Sequence, residues 1–184
     1  MEALKRTAAY KLLSMAISYP EGIVAEAFST GWLFSQMKEV FSPYGHLFLA
    51  IERAERDFEG VEELQVTYTS SFDLRIPLYE SYYVVKSDKP EDKVNFLFEL
   101  EKLYMSCGVE LVDRDMPDFI GTELEFMHYL CSEGSLRKQR DFLKAHLVSW
   151  VPLLAEKVQQ ENVTFYRHLI AAIDKFVAMD YGSL

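Results

Sequence analysis

Apolar residues recur every three or four positions along nearly the whole chain, and that spacing fits helices and little else. Leu4, Ala8, Leu12, Met15 and Ala16 fall on one face of a first helix, which stops near Tyr19 because Pro20 follows. Residues 21–29 and 32–41 predict two short helices parted around Gly31. Leu47, Ile51, Ala54 and Phe58 form the next stripe, ended by Gly60. Val61 to Phe72 predicts another helix, weakened at its end by Thr67, Thr69, Ser70 and Ser71.

The periodicity then breaks in DLRIPLYESYYVVKSDKPED. Pro77 interrupts any helix through it. Tyr82 to Val85 has strand propensity, but one strand without a partner is not stable. The stretch therefore reads as a loop with room for one helical turn, and as the longest irregular segment it is a candidate for function. Beyond it, Asp88 and Pro90 open a helix carrying Val94, Leu97, Phe98 and Tyr104, which runs to Cys107 with Gly108 as its stop. VELVDRDMP is a second loop, leading into the stretch Met116 to Leu130, with a helix start predicted at Asp118. Ser135 to Val148 predicts one helix. Pro152 is expected at or near the first turn of the next, which reaches about Gln160. Asn162 is expected to cap a last helix ending near Asp180. The expected fold is all-α: one domain over residues 1–184, a bundle of about eight to ten helices.

Charge and composition narrow the function. The formal net charge of -10 argues against binding nucleic acid or an anionic membrane, both of which need basic patches. It suits a basic peptide, and equally plain solubility. The 11 Tyr and 13 Phe suit either core packing or a peptide-binding surface. Cys107 and Cys131 form no CxxC pair and no zinc spacing, so buried free thiols in a reducing cytoplasm are expected. The first 20 residues lack a signal-peptide layout, and no apolar run approaches the ~18 residues that span a bilayer.

One stretch suggests metal chemistry. MPDFIGTELEFMHYL contains Glu125-x-x-His128, the spacing used in di-iron helical bundles. Such a site needs a second pair, but Pro43, Leu143 and Phe165 stand three residues before His46, His146 and His168. On an ideal helix Ile120, Leu124, Met127 and Cys131 share the core face. Glu125 points away from it, while Glu123 and His128 sit on its two edges. His128 then reads as a partly buried, hydrogen-bonded histidine. No phosphate-binding Gly-rich loop and no nucleophile elbow is present. No metal, cofactor or catalytic residue is expected, and a binding role is the default. The alternatives are a metal-dependent oxidoreductase built on Glu125 and His128, or a helical scaffold subunit.

TSSFDLR, PLYESYY, MPDF…LEF, FLKAHLVSWVPLLAEKV and TFYRHLIAAI follow one another in an order that resembles the TorD/DmsD/NarJ family of molybdoenzyme maturation chaperones, over about Tyr68 to Ala178. That resemblance implies an all-helical cytoplasmic chaperone, not an enzyme. Its partner would be the N-terminal segment, often a twin-arginine signal peptide, of a molybdoenzyme catalytic subunit, held until the molybdenum cofactor is inserted. SFDLR with LYESYY resembles the nitrate reductase branch, and P-x-Y-E-S the branch serving exported reductases. The family's Pro-Asp-His motif stands here as Pro117-Asp118-Phe119, without its histidine. Monomer and domain-swapped dimer both occur among such proteins.

The expected peptide-binding residues are Tyr68, Phe72, Pro77, Tyr79, Glu80, Pro117, Asp118, Phe119 and Glu123. Tyr68 and Phe72 lie one turn apart, as core residues or as a wall of an apolar groove. Tyr79 and Glu80 pair a ring with a carboxylate, which suits an Arg-bearing peptide if Glu80 is not simply solvated. Asp118 is placed to cap the helix it precedes. Glu123, on a core rim, needs a cationic partner from this chain or from the client. His146 and Trp150, one turn apart, read as packing between the last helices.

Overall fold

The computed structural model describes residues 1–72, 75–112 and 116–184. Asp73 and Leu74 of TSSFDLR, and Asp113 to Asp115 of VELVDRDMP, lie outside the described residues. The architecture is all-α, with eleven helices among the described residues: α1 (Ala3–Ile17), α2 (Gly22–Ser29), α3 (Trp32–Phe41), α4 (Gly45–Arg56), α5 (Val61–Phe72), α6 (Glu80–Val84), α7 (Pro90–Ser106), α8 (Ile120–Glu133), α9 (Leu136–Ala145), α10 (Leu147–Gln159) and α11 (Thr164–Ser183). The eleventh, beyond the eight to ten expected, is the short α6, which occupies the anticipated turn in the first loop.

Glycine sets two of the boundaries. Gly31 (φ 70°) and Gly134 (φ 79°) adopt left-handed backbone, before α3 and after α8 respectively, where a side chain would be strained. Other boundaries differ from the spacing. The helix expected over Ser135 to Val148 breaks at His146 (φ -114°, ψ -94°), which ends α9 and starts α10. Pro152 consequently lies inside α10, in its second turn and on an exposed face, rather than in the first turn. Val163, not Asn162, is the N-cap of α11.

The buried residues form one cluster. In it α1 packs on α8 and α3, α4 on α11 and α3, and α10 on α11, α9 and α6. Phe28, Phe34, Phe58 and Phe165 supply an aromatic cluster with ring centroids 5.4–6.2 Å apart. A buried polar knot ties the two ends of the chain. Arg6 donates through Nε and Nη2 to both oxygens of Asp180, and Tyr10 donates its hydroxyl to Asp180 Oδ2 at 2.6 Å. Arg6 Nη1 also donates to Gln139, whose Nε2 donates to the Leu130 carbonyl at 2.8 Å. One guanidinium thereby joins α1 to α11 and α9, with every partner buried. Cys107 and Cys131 are free and half-buried rather than buried.

Candidate functional site

The two motif loops meet. Ile120 N–H donates to the Leu78 carbonyl at 3.0 Å, and Glu80 N–H donates to the Asp118 carbonyl at 2.8 Å. These two bonds make an isolated antiparallel bridge between Tyr79 and Phe119. Asp118 adds a third tie: its Oδ2 accepts the Ser81 N–H at 3.1 Å. Asp118 was expected to cap the helix it precedes. Instead Phe119 is the N-cap of α8, and Asp118 caps α6 across the bridge. The flanking prolines are fixed through their carbonyls, which lack no acceptor capacity. Pro77 accepts the Tyr83 hydroxyl at 3.0 Å and Pro117 accepts the Tyr104 hydroxyl at 2.7 Å.

Beneath the bridge lies a group of sealed carboxylates. Glu80, Asp118 and Glu123 are 1%, 0% and 0% exposed. Glu80 Oε2 accepts from His146 Nδ1 at 2.9 Å, and Glu123 Oε2 accepts from Trp150 Nε1 at 3.0 Å. The Trp150 ring is itself stacked on Tyr83, 5.4 Å between centroids. Glu123 therefore does not sit on a rim. The α8 helix is covered around more of its circumference than a single apolar stripe implies, and Phe126 and Leu130 are buried as well. Nor is Glu80 solvated. Ser81 Oγ and Asp118 Oδ1 are buried without a hydrogen-bond partner among the described residues, while the Glu123 carboxyl lies within hydrogen-bonding reach of Glu80. Burial, and then repulsion from Glu80, pushes the Glu123 carboxyl well above the usual range. The Trp150 bond opposes this, and Asp118 adds to it. The Tyr104 hydroxyl is also held neutral, by burial first and by Glu123 next.

What reaches the surface here is aromatic. Tyr79 and Phe119 are half-buried, with ring centroids 5.9 Å apart. Phe119 also walls a cleft of about 470 Å³ between α1, α8 and residues 109–112. Its apolar lining comes from Val109, Leu111, Phe126 and Tyr129, with Glu110 and Glu125 among its charged residues. The size falls in the range of ligand pockets. The Phe119 ring lies against Gly121, where a Cβ would sit 2.4 Å from Phe119 Cε1. A side chain at 121 would displace the ring from the cleft.

Seven of the nine expected residues thus come together: Pro77, Tyr79, Glu80, Pro117, Asp118, Phe119 and Glu123. Tyr68 and Phe72 are buried in a different group, edge-to-face with each other at 5.1 Å and with Tyr166 at 5.8 and 4.8 Å. His146 and Trp150 belong to the site, as the partners of Glu80 and Glu123. Their spacing was visible in the sequence, but their acidic partners lie on other helices. The cleft residues from α1 and from 109–112 carried no sequence signal. Glu125 and His128 are engaged apart from one another, Glu125 with Lys11 Nζ at 2.6 Å and His128 Nδ1 with the Thr7 carbonyl at 3.0 Å.

Residues 39–156 match the family model described as the nitrate reductase delta subunit. The chain belongs to the nitrate reductase delta subunit family. It is 29% identical to the perchlorate reductase assembly chaperone protein of Dechloromonas aromatica, over 96% of this chain and 88% of that protein. It is 28% identical to the chaperone protein TorD of Vibrio parahaemolyticus, over 58% of this chain and 55% of that protein. A solved structure of a redox enzyme maturation protein from Archaeoglobus fulgidus has the same fold, with a TM-score of 0.61 at 22% identity, covering 94% of this chain and 93% of the other. The resemblance to TorD/DmsD/NarJ chaperones read from the motifs is thus a true relationship. The delta subunit family match includes both bridged loops together with His146 and Trp150, while α1, which closes the cleft, lies outside it.

Proposed function

We propose that this chain is a non-catalytic, cytoplasmic assembly chaperone for a molybdenum-containing reductase. It binds the N-terminal segment of the catalytic subunit, twin-arginine signal or not, and holds the subunit until its cofactor is inserted. The family and the names of its relatives support the class. The observation that supports the binding surface is the half-exposed ring pair Tyr79 and Phe119, of which Phe119 walls the apolar cleft. Buried ties from α6, α8 and α10 fix that pair from below, and a rigid aromatic platform loses little entropy when a peptide docks. Glu80, Asp118 and Glu123 act as supports of the platform rather than as surface acceptors for arginine.

Titration calorimetry with N-terminal peptides of reductase catalytic subunits encoded beside this gene tests the reading. One peptide should bind, and Tyr79→Ala should weaken it about tenfold, the loss of one aromatic contact of ~1.4 kcal/mol. Absence of binding to every candidate overturns the proposal. So does co-purification with the finished, active enzyme, which would make the chain a permanent subunit.

A further inference from the structure

The α7 helix is 17 residues long, yet only Leu100 and Tyr104 on it are buried. At 100° per residue, Glu91, Val94, Phe98, Glu101 and Met105 share a stripe about 80° wide, centred roughly 120° from those two. Every member of the stripe is exposed. Val94, Phe98 and Met105 are 63%, 54% and 57% exposed, values unusual for three large apolar side chains in one row. Val94, Phe98, Glu101 and Met105 follow one another at four, three and four positions, the seam spacing of two packed helices. Lys102 covers one face of the Phe98 ring at 4.3 Å, and is tied to Glu99 at 2.8 Å. Glu91 and Glu101 make no ion pair among the described residues.

We propose that this seam docks an amphipathic helix of another protein that carries two basic residues among its apolar ones. The charges decide the occupant. A second copy, packed in either direction, would bring four seam carboxylates into the interface, where the Lys102 beside each Phe98 is already paired with Glu99, on chains whose formal net charge is already -10. A cationic partner instead neutralises both acids. Glu91 and Glu101 are ten positions apart, so the matching cations lie about 15 Å apart along their helix. The surface is separate from the Tyr79 and Phe119 platform, and the proposal does not depend on what binds there.

The probe is a synthetic helix of about 20 residues with apolar seam positions and two arginines ten residues apart. It is titrated into the full chain by fluorescence anisotropy. A second peptide carries glutamates in place of the arginines. The arginine peptide should bind and the glutamate peptide should bind about tenfold more weakly or not at all. Phe98→Asp should abolish binding, Glu101→Lys should remove the preference between the peptides, and Tyr79→Ala should change nothing. Both seam positions are exposed, so thermal unfolding should be unaltered. The proposal is overturned if the arginine peptide does not bind, or if its affinity is indifferent to Phe98→Asp and Glu101→Lys. It is also overturned if sedimentation shows a dimer that Phe98→Asp dissolves, because the occupant is then a second copy.

Discussion

His146 Nδ1 donates to Glu80 Oε2 at 2.9 Å, with the Glu80 side chain sealed from water. The bond fastens the short α6 to the junction of α9 and α10, where His146 itself leaves helical geometry. His146→Ala leaves a buried carboxylate without its partner and should cost about 3 kcal/mol. Glu80→Gln keeps a neutral acceptor in place and should cost about 1 kcal/mol. Urea unfolding of the two variants distinguishes these outcomes; equal losses would show that the bond carries no charge.

Glu123 gives stability a particular pH dependence. Burial, then Glu80, raises its carboxyl above the ordinary value of 4.5. The folded chain therefore holds a proton that the unfolded chain releases. The penalty is absent below about pH 4.5 and grows as pH rises towards the folded value. Glu123→Gln, which can still accept from Trp150, should be more stable than the parent at neutral pH. Its unfolding free energy should fall less steeply with rising pH, as measured by denaturant melts across that range.

Gly121→Ala separates stability from binding. Alanine in a helix is favoured over glycine by ~1 kcal/mol, while the added methyl meets the Phe119 ring. Overpacking costs about 1–3 kcal/mol in a rigid core, but this ring is half-exposed and can swing aside. Little net change in melting temperature is expected. Peptide affinity should nonetheless fall about as far as for Tyr79→Ala, by roughly tenfold.

The Arg6 knot should be intolerant of single replacements. Arg6→Ala strands the buried Asp180 carboxylate beside Tyr10, at a cost of about 3–5 kcal/mol. Replacing both ions by apolar side chains, Arg6→Met with Asp180→Leu, should recover most of that loss, because no charge is left buried. Chemical unfolding of the single and double variants checks both statements.

The helices were legible wherever local chemistry alone places them. Trp32–Phe41 and Val61–Phe72 follow from apolar spacing and from Gly31, Gly60 and the Ser/Thr cluster. The break at His146 was not legible, since neither glycine nor proline marks it. It coincides with a bond to Glu80, 66 positions away. The same reason hides the arrangement of the site. The motifs PLYES and MPDF each identify themselves, but only tertiary structure shows that Asp118 caps the helix begun by Glu80. Glu123 was misplaced because a single-stripe wheel assumes one neighbour, whereas α8 is packed by α1 and α9 and receives the Trp150 indole from α10.

The knot also bears on how the chain is made. Arg6 leaves the ribosome 174 positions before Asp180. The main partner of α1 is α8, which emerges only after α2 to α7. The α1 helix must therefore wait, its apolar face uncovered, while those six helices are translated, and contacts this distant in sequence close slowly. The protein thus passes through an exposed, unfinished condition of its own before the knot can close.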